Sequence, residues 1–453
     1  MDELKVTQEE QHSVLPIKGI ESMSLSEIYA SPRPPQLPKK LPKLINAVTS
    51  QTPAEFKATV SQAAFPALAI YPNHLSFTYI DNQPRELRIS CLVVGGTGSG
   101  KDTCQGQPLN HILRDARERD EVNRKRLADF NAEYNSKAAN CEKPKRPDDL
   151  IIQIIKSDVT RAALYQRMEE AQGAPLYIKM NEIEQWDKVE GATGRNNQFT
   201  TLKLADDEQN DFGSDRAGTQ SVTVSGNLHL NWNANTTPSK ALKYFQHAMT
   251  DGPISRLTLA TTPRFEIGSD MPVFGQYDSK YDESLQPFIE NLKKATGSIV
   301  CKKAQQMVKT LKEELDDYLV LTQDEVHNNL SRRALVHVFR KACLIYAASG
   351  MAWEKSIYDF CRWSLHYDLW LKLKLFGDAI RNDDKKVQLS KHGPQNLLSL
   401  LTNDEKKVFT YEELVKVRQQ RGMDTKGTRR LLSKWKQRGH IKQLTDDTYE
   451  RLR

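Results

Sequence analysis

Leu92-Val93-Val94-Gly95-Gly96-Thr97-Gly98-Ser99-Gly100-Lys101-Asp102-Thr103 is the stretch that decides the fold. A β-branched run enters a turn with four glycines in six residues, and a lysine follows at once. The pattern G-x-x-x-x-G-K, with a strand before it and a helix after it, is the sequence form of a loop that cradles phosphates. The glycines let backbone N–H groups turn inward around phosphate oxygens, and the start of a helix adds favourable partial charge. Gly95, Gly96, Thr97, Gly98, Ser99, Gly100, Lys101, Asp102 and Thr103 are therefore the expected nucleotide contacts, with Lys101 reaching the outer phosphates. The ordinary alternative is a glycine-rich turn with a chance lysine; the preceding strand and the glycine density argue against it. One position departs from the pattern. The Ser or Thr that usually follows the lysine and ligates magnesium is Asp102, with Thr103 as the next hydroxyl. Both are candidate magnesium ligands, Asp102 through water or Thr103 as a substitute.

Outward from this loop the chain alternates strand and helix patterns. LSFTYI (75–80) and ELRISCLVV (86–94) read as strands joined by a turn at DNQP. A charged, solvated helix is expected from about Leu109 to Ala139. Strands are expected at IIQII (151–155), APLYIKM (174–180), VTVSGNLHLNWNA (222–234, one or two strands) and ISRLTLA (254–260), with a helix at TRAALYQRMEEAQ between the first two. Such alternation predicts an α/β core with a largely parallel sheet. The reading divides the chain into four parts: a disordered N-terminal arm with a Pro-rich linker (1–43), a nucleotide-binding core (44–275), a helical region (276–380) and a small basic domain (381–453).

A phosphate loop that hydrolyses its nucleotide needs a second strand ending in acid. The best candidate is Pro175-Leu176-Tyr177-Ile178-Lys179-Met180-Asn181-Glu182, in which Glu182 would activate water. Asn181 stands at the position of the usual metal-binding aspartate and is the weaker, neutral ligand. An ordinary strand end with a surface glutamate is the alternative. Asn231, Asn233 and Asn235 compete to place an amide beside the terminal phosphate, against the plainer reading of a polar turn. Arg256, after the turn Asp251-Gly252-Pro253, is a candidate for completing a neighbouring subunit's site, against a surface arginine.

These residues together carry a resemblance. FPALA (65–69), VVGGTGSGK (93–101), SDVTRAAL (157–164), the strand into Asn181-Glu182 and GPISR (252–256) make the chain resemble a bacterial mobile-element P-loop ATPase family of unknown function, allied to plasmid and phage primase-helicases. The resemblance spans roughly Leu41 to Ile380 and departs from the family at Asp102 and Asn181. It implies a RecA- or AAA-like core, ATP and Mg2+ as ligands, and a homo-oligomeric ring, of which a hexamer is one form. It also implies a primase or other replication partner, since the chain has no primase signature of its own.

Charge placement points to a second partner. The 453 residues carry a net charge of +7, yet residues 401–453 hold 14 Lys/Arg against 8 Asp/Glu. The preceding 400 residues hold 51 and 50, so the basic excess belongs to the tail. The last 70 residues read as a winged helix: NLLSLLTNDEKKVF as a first helix, TYEELVKVRQQRG (410–422) as a second with Thr410 and Glu413 as a capping box. KGTRRLLSKWKQRGH (426–440) is then the recognition helix, and HIKQLTDDTYERLR the two-stranded wing. Lys426, Thr428, Arg429, Arg430, Lys434, Lys436 and Arg438 are the candidate contacts to duplex or single-stranded DNA, with Leu431, Leu432 and Trp435 as the buried face. A protein-interaction winged helix is the alternative.

No run of 18 apolar residues is present, and the polar start MDELKVTQEEQHS lacks a secretory layout, so neither a membrane span nor secretion is expected. Six scattered cysteines without a C-x-x-C pair fit a reducing cytoplasm. Three functions stay open. The first is a helicase-like or translocating DNA-dependent ATPase of a mobile element. The second is an ATP-gated DNA-binding initiator or regulator with little hydrolysis. The third, suggested by G-K-D-T, is a nucleotide or small-molecule kinase, for which the tail and the helical region have no use.

Overall fold

The computed structural model describes residues 20, 23–137, 141–190, 199–214, 224–249, 252–322, 324–391, 397–402, 406–420, 425–437 and 439–452; the side chains of 214, 224, 383–391 and 399 lie outside that description. The chain forms two compact units, Met1–Ala379 and Ile380–Arg453.

The first unit is α/β. Its centre is a sheet of five parallel strands in the order β4-β5-β8-β3-β9. These are β3 (Ser90–Val94), β4 (Ile154–Ile155), β5 (Leu176–Lys179), β8 (Leu230–Thr236) and β9 (Leu259–Thr261). The register pairs Val93 with Asn235 and Val94 with both Thr236 and Thr261. Every residue of β8 is buried, as befits a central strand covered on both faces. Helix α2 (Lys57–Leu68) contains the FPAL run; its last ten residues, Thr59–Leu68, are all buried. It is buried all round, its polar Thr59, Ser61 and Gln62 included, because it lies inside the unit rather than on its surface. Thr59 Oγ1 donates to Thr261 O of β9, and Ala63 O accepts from Asn233 of β8, which ties the helix to the sheet.

The strand expected over 86–94 is two strands in two sheets. β1 (Leu75–Thr78) and β2 (Pro84–Glu86) form an antiparallel pair, and β10 (Gly297–Ile299) adds to β1. The chain then breaks at Leu87–Ile89 before β3. The cause is non-local: Asn231 Oδ1 takes the Ile89 N–H at 2.7 Å, and the buried Arg88 guanidinium binds Asn227, Leu228 O and Glu86. β6 (Phe212–Ser214) and β7 (Val224–Gly226) make a separate antiparallel pair. β9 begins at Leu259, later than expected, because Ile254–Arg256 is a 3-10 turn.

The helical region packs against this core through α3 (Glu325–Ala348) and α4 (Lys355–Lys391). Arg340 of α3 is buried and pairs with Asp206 and Glu208. Burial alone would raise the Asp206 carboxyl, but Arg340, His337 and Arg333 outweigh it and hold it well below the usual range. Removing one partner of such a buried pair typically costs about 3–5 kcal/mol, so the network fastens α3 to the Asp206–Glu208 segment.

The N-terminal segment is a correction to the sequence reading. Residues 1–19 and 21–22 of the expected arm lie outside the described residues. From Met23 onward the chain is packed. α1 (Leu25–Ala30) opens with a capping box between Ser24 and Glu27. The proline-rich stretch after it lies along α4, where Trp370 Nε1 donates to Ser31 O and Trp363 Nε1 to Pro35 O. Proline removes N–H donors but leaves carbonyls free, and tryptophan supplies the matching donor.

Among its described residues the second unit has a three-stranded antiparallel sheet, β11-β13-β12, with three short helices besides the end of α4. In chain order these are α5 (Leu397–Leu401), β11 (Val408–Thr410), α6 (Tyr411–Gln420), α7 (Thr428–Gln437), β12 (Ile441–Gln443) and β13 (Thr448–Arg451). The first helix is shorter than expected, since Val408 and Phe409 belong to β11. Its core joins Leu397, Leu398, Leu401, Phe409, Leu414, Leu432, Ile441 and Tyr449, with Leu431 and Trp435 packed against it. The capping box forms, with Thr410 N donating to Glu413 Oε2 at 2.9 Å and Glu413 N to Thr410 Oγ1 at 3.2 Å.

Candidate functional site

In an open parallel sheet, ligands bind beyond the carboxyl ends of the strands, where the strand order reverses. Here the reversal lies at β3. The chain leaves it for β4 at one edge, works back through β5 to β8, and then crosses to β9 on its other side. Residues 95–101 leave the carboxyl end of β3 at that point. Gly95 is pinned between neighbours: its N–H donates to Thr236 O at 3.1 Å, and an added Cβ would fall 2.1 Å from Thr262 Oγ1. Gly100 has φ +80°, a left-handed value that side chains resist, and a Cβ there would meet Phe56 at 3.0 Å. The loop thus requires glycine at both its base and its exit. Thr262 Oγ1 donates to Ser99 Oγ at 2.8 Å and braces the loop from the β9 side.

Lys101 Nζ donates to Gly95 O at 3.0 Å and Gly96 O at 2.6 Å, so its ammonium sits against the loop. The helix after it is only five residues, Lys101–Gln105. The dipole contribution expected from a following helix is correspondingly small, and backbone N–H groups and Lys101 are left as the anion-attracting groups. Gly96, Thr97, Gly98, Asp102 and Thr103 are exposed.

The three asparagines separate cleanly. Asn231 is fully buried and holds Ile89. Asn233 is fully buried; it accepts from Tyr177 OH at 2.8 Å and donates to Ala63 O. Both are structural. Asn235, near the carboxyl end of β8, donates from Nδ2 to Asp102 Oδ1 at 2.8 Å. It alone of the three bonds to the loop segment. No protein-family model matches this chain, and no curated protein matches it. The chemistry of this edge is what speaks for function.

β5 ends at the same edge. Asn181 is exposed, and its N–H donates to Gln185 Oε1. Glu182 is 47% exposed and lies 3.4 Å from Lys240 Nζ. Lys179, just before them, donates to Gln105 O at 2.6 Å. Burial, then the nearby Arg117, lowers its ammonium below the ordinary lysine range, while Asp102 acts in the other direction. Lys179, Lys240 and Thr262 are contributions that sequence reading missed. Only Lys179 had a signal, as a charge inside an apolar strand.

Arg256 is not part of this constellation. It precedes β9, and its carbonyl meets Ser90 at the start of β3, so it sits at the amino ends of the strands, opposite the loop. Its Nη1 donates to Gly252 O, and burial followed by Arg333 lowers its guanidinium. A role toward the 95–101 loop of its own chain is excluded by that position.

In the second unit, Lys426, Arg429, Arg430, Lys434 and Lys436 are exposed. Arg429 lies over the Tyr411 ring at 5.2 Å, and Lys436 Nζ donates to Gln443 Oε1 at 3.0 Å. Thr428 is a correction. It is fully buried and its hydroxyl donates to Thr425 O, so it ties the start of α7 to the preceding turn and is not presented to a partner. Arg438 lies outside the described residues, as do Gly422 and Asp424. Among the described residues no three His, Cys, Asp or Glu gather as a metal group, and no helix is long and apolar enough to cross a membrane.

Proposed function

We propose that the chain binds ATP in the 95–103 loop, and that it is a DNA-processing protein, a helicase-like or translocating ATPase. The observation that carries the reading is the convergence of the phosphate loop, the Asp102–Asn235 pair and Glu182 on one edge of a parallel sheet. β8 lies between β3 and β5, which sets Glu182 about 10 Å across the sheet from the loop strand. A terminal phosphate and an attacking water fit in that gap, with Glu182 as general base. When bound, magnesium supplies charge neutralisation of the phosphates. Asp102, Thr103 and Asn181, all exposed, are the residues that would hold it.

The second unit supports DNA as the partner. The order helix, strand, helix, helix, strand, strand, over one apolar core, is what a winged helix requires, and α7 carries the exposed basic face. Ring assembly with Arg256 acting across a subunit boundary remains part of this proposal, as does a separate primase partner.

A second reading has its own support. Glu182 is paired with Lys240, and the usual aspartate is Asn181. Both weaken water activation and favour an ATP-gated initiator or regulator with little turnover. ATP hydrolysis measured with and without single- and double-stranded DNA separates the two. A motor is stimulated by DNA; a switch binds ATP with almost no turnover. Glu182→Gln is expected to retain ATP affinity within about threefold while lowering turnover by about 100-fold or more. Turnover equal to wild type in that variant removes Glu182 as the base.

A further inference from the structure

We propose that the segment after β9, residues 263–274, seats the base of the bound nucleotide, with Met271 as the side chain that touches it. The inference rests on the nucleotide-binding reading above and adds the orientation of the ligand. The sheet is asymmetric about the loop. Asn235 of β8 and Glu182 beyond β5 lie on one side of β3, and β9 lies on the other. A polyphosphate whose terminal phosphate faces Glu182 carries its sugar and base the opposite way, toward β9. The segment that follows β9 is fastened there at both ends. The Thr262 N–H donates to Val94 O at 3.3 Å and its hydroxyl to Ser99, while the Gly275 N–H donates to Gln51 O at 2.8 Å. Phe265 and Phe274 both pack on the buried Phe56, with ring centroids 5.7 and 5.3 Å away. Phe56 is also the side chain that closes on Gly100, so the segment and the exit of the loop share one support.

The outer side of this segment is apolar. Ile267 and Val273 stand almost wholly in solvent, and Met271 is 41% exposed. Scattered apolar side chains are ordinary on a protein surface. Three of them within 267–273, beside the mouth of a ligand site, make a patch that calls for an occupant. Met271 fixes where that patch meets the ligand: its Cε lies 3.2 Å from the point where a Cβ on Gly100 would stand. A group leaving the loop at Gly100 on the β9 side therefore meets the thioether first. Small-molecule sites pair a few placed polar groups with a mostly apolar wall. The 95–103 loop supplies the polar part, and this segment supplies the wall. The flat, apolar end of a nucleotide is its base, and methionine adapts to and packs well on aromatic rings.

The test compares ATP with tripolyphosphate, which has the phosphates but no base, by calorimetric titration of the full chain in excess magnesium. Wild type is expected to bind ATP about tenfold or more tighter than tripolyphosphate. Met271→Ala is expected to weaken ATP by about tenfold and leave tripolyphosphate unchanged, while Met271→Leu keeps most of the ATP affinity. Equal wild-type affinity for the two ligands overturns the proposal and leaves the loop as a phosphate site. An equal loss for both ligands in Met271→Ala overturns it too, since that marks a distorted loop and not a lost base contact. If Met271→Ala and Val273→Ala instead weaken self-association in sedimentation and leave the ratio of the two affinities unchanged, the patch covers a second copy of the chain and the proposal falls. If wild type binds neither ligand, the nucleotide-binding reading itself falls, and the base seat with it.

Discussion

Lys101→Ala is expected to lower ATP affinity by about 100-fold or more, the larger of the two strongest effects foreseen for this chain. The loop has few other sources of positive charge. The helix behind it ends after five residues, and Asp102 adds a negative charge beside it. Lys101 is the side chain whose ammonium already lies on the loop, 2.6 Å from Gly96 O. Losing it removes one or two charge-assisted contacts to phosphate, each worth about 1.5–3 kcal/mol. The fold should survive, because Lys101 is partly exposed and the loop is braced independently by Thr236 and Thr262. Calorimetric titration with magnesium ATP measures the first effect, and an unchanged melting temperature checks the second. Wild-type affinity in the variant would end the phosphate-loop assignment.

Ending the chain at Lys391 is expected to remove most duplex DNA binding while leaving ATP affinity unchanged. The second unit has a core of its own, and residues 401–453 carry six of the chain's seven net positive charges. Lysine and arginine contacts to phosphates release counterions, so affinity for duplex should fall steeply with salt in the full chain and much less in the truncated one. Within the unit, Arg430→Ala is expected to cost about 1–3 kcal/mol if it reads a base, or about one unit of salt slope if it contacts phosphate. Lys406→Ala is the comparison. Lys406 precedes β11, outside α7, and pairs with Glu413 at 2.6 Å, so its loss should matter less for DNA. Fluorescence anisotropy on labelled duplex across a salt series reads all three. Equal binding by the truncated chain at every salt concentration would move the DNA contact to the first unit or to a partner.

Much of this was legible in the sequence because its signals are local. A turn rich in glycine constrains only its own backbone, and Thr410 and Glu413 satisfy each other's N–H groups three residues apart. The alternation of strand and helix patterns foretold a parallel sheet, and five parallel strands form it. The proline-rich segment misled, because a run without helix or strand pattern reads as a linker whether or not something lies against it. Two tryptophans more than 300 residues away decide that it is packed.

The sequence by itself determined the α/β class, the glycine-lysine turn and the basic character of the last 53 residues. Tertiary structure alone decided which residues share the site. Asn231, Asn233 and Asn235 alternate along one strand and look equivalent in sequence. β8 runs between β3 and β5, so its start meets Ile89, its middle meets Tyr177 and α2, and only its end reaches Asp102. Arg256 and Glu182 each flank a strand, yet parallel direction puts one before β9 and the other after β5, at opposite ends of the strands. Strand order and direction are set by burial and hydrogen bonding between segments far apart in the chain, and no window of local sequence contains them.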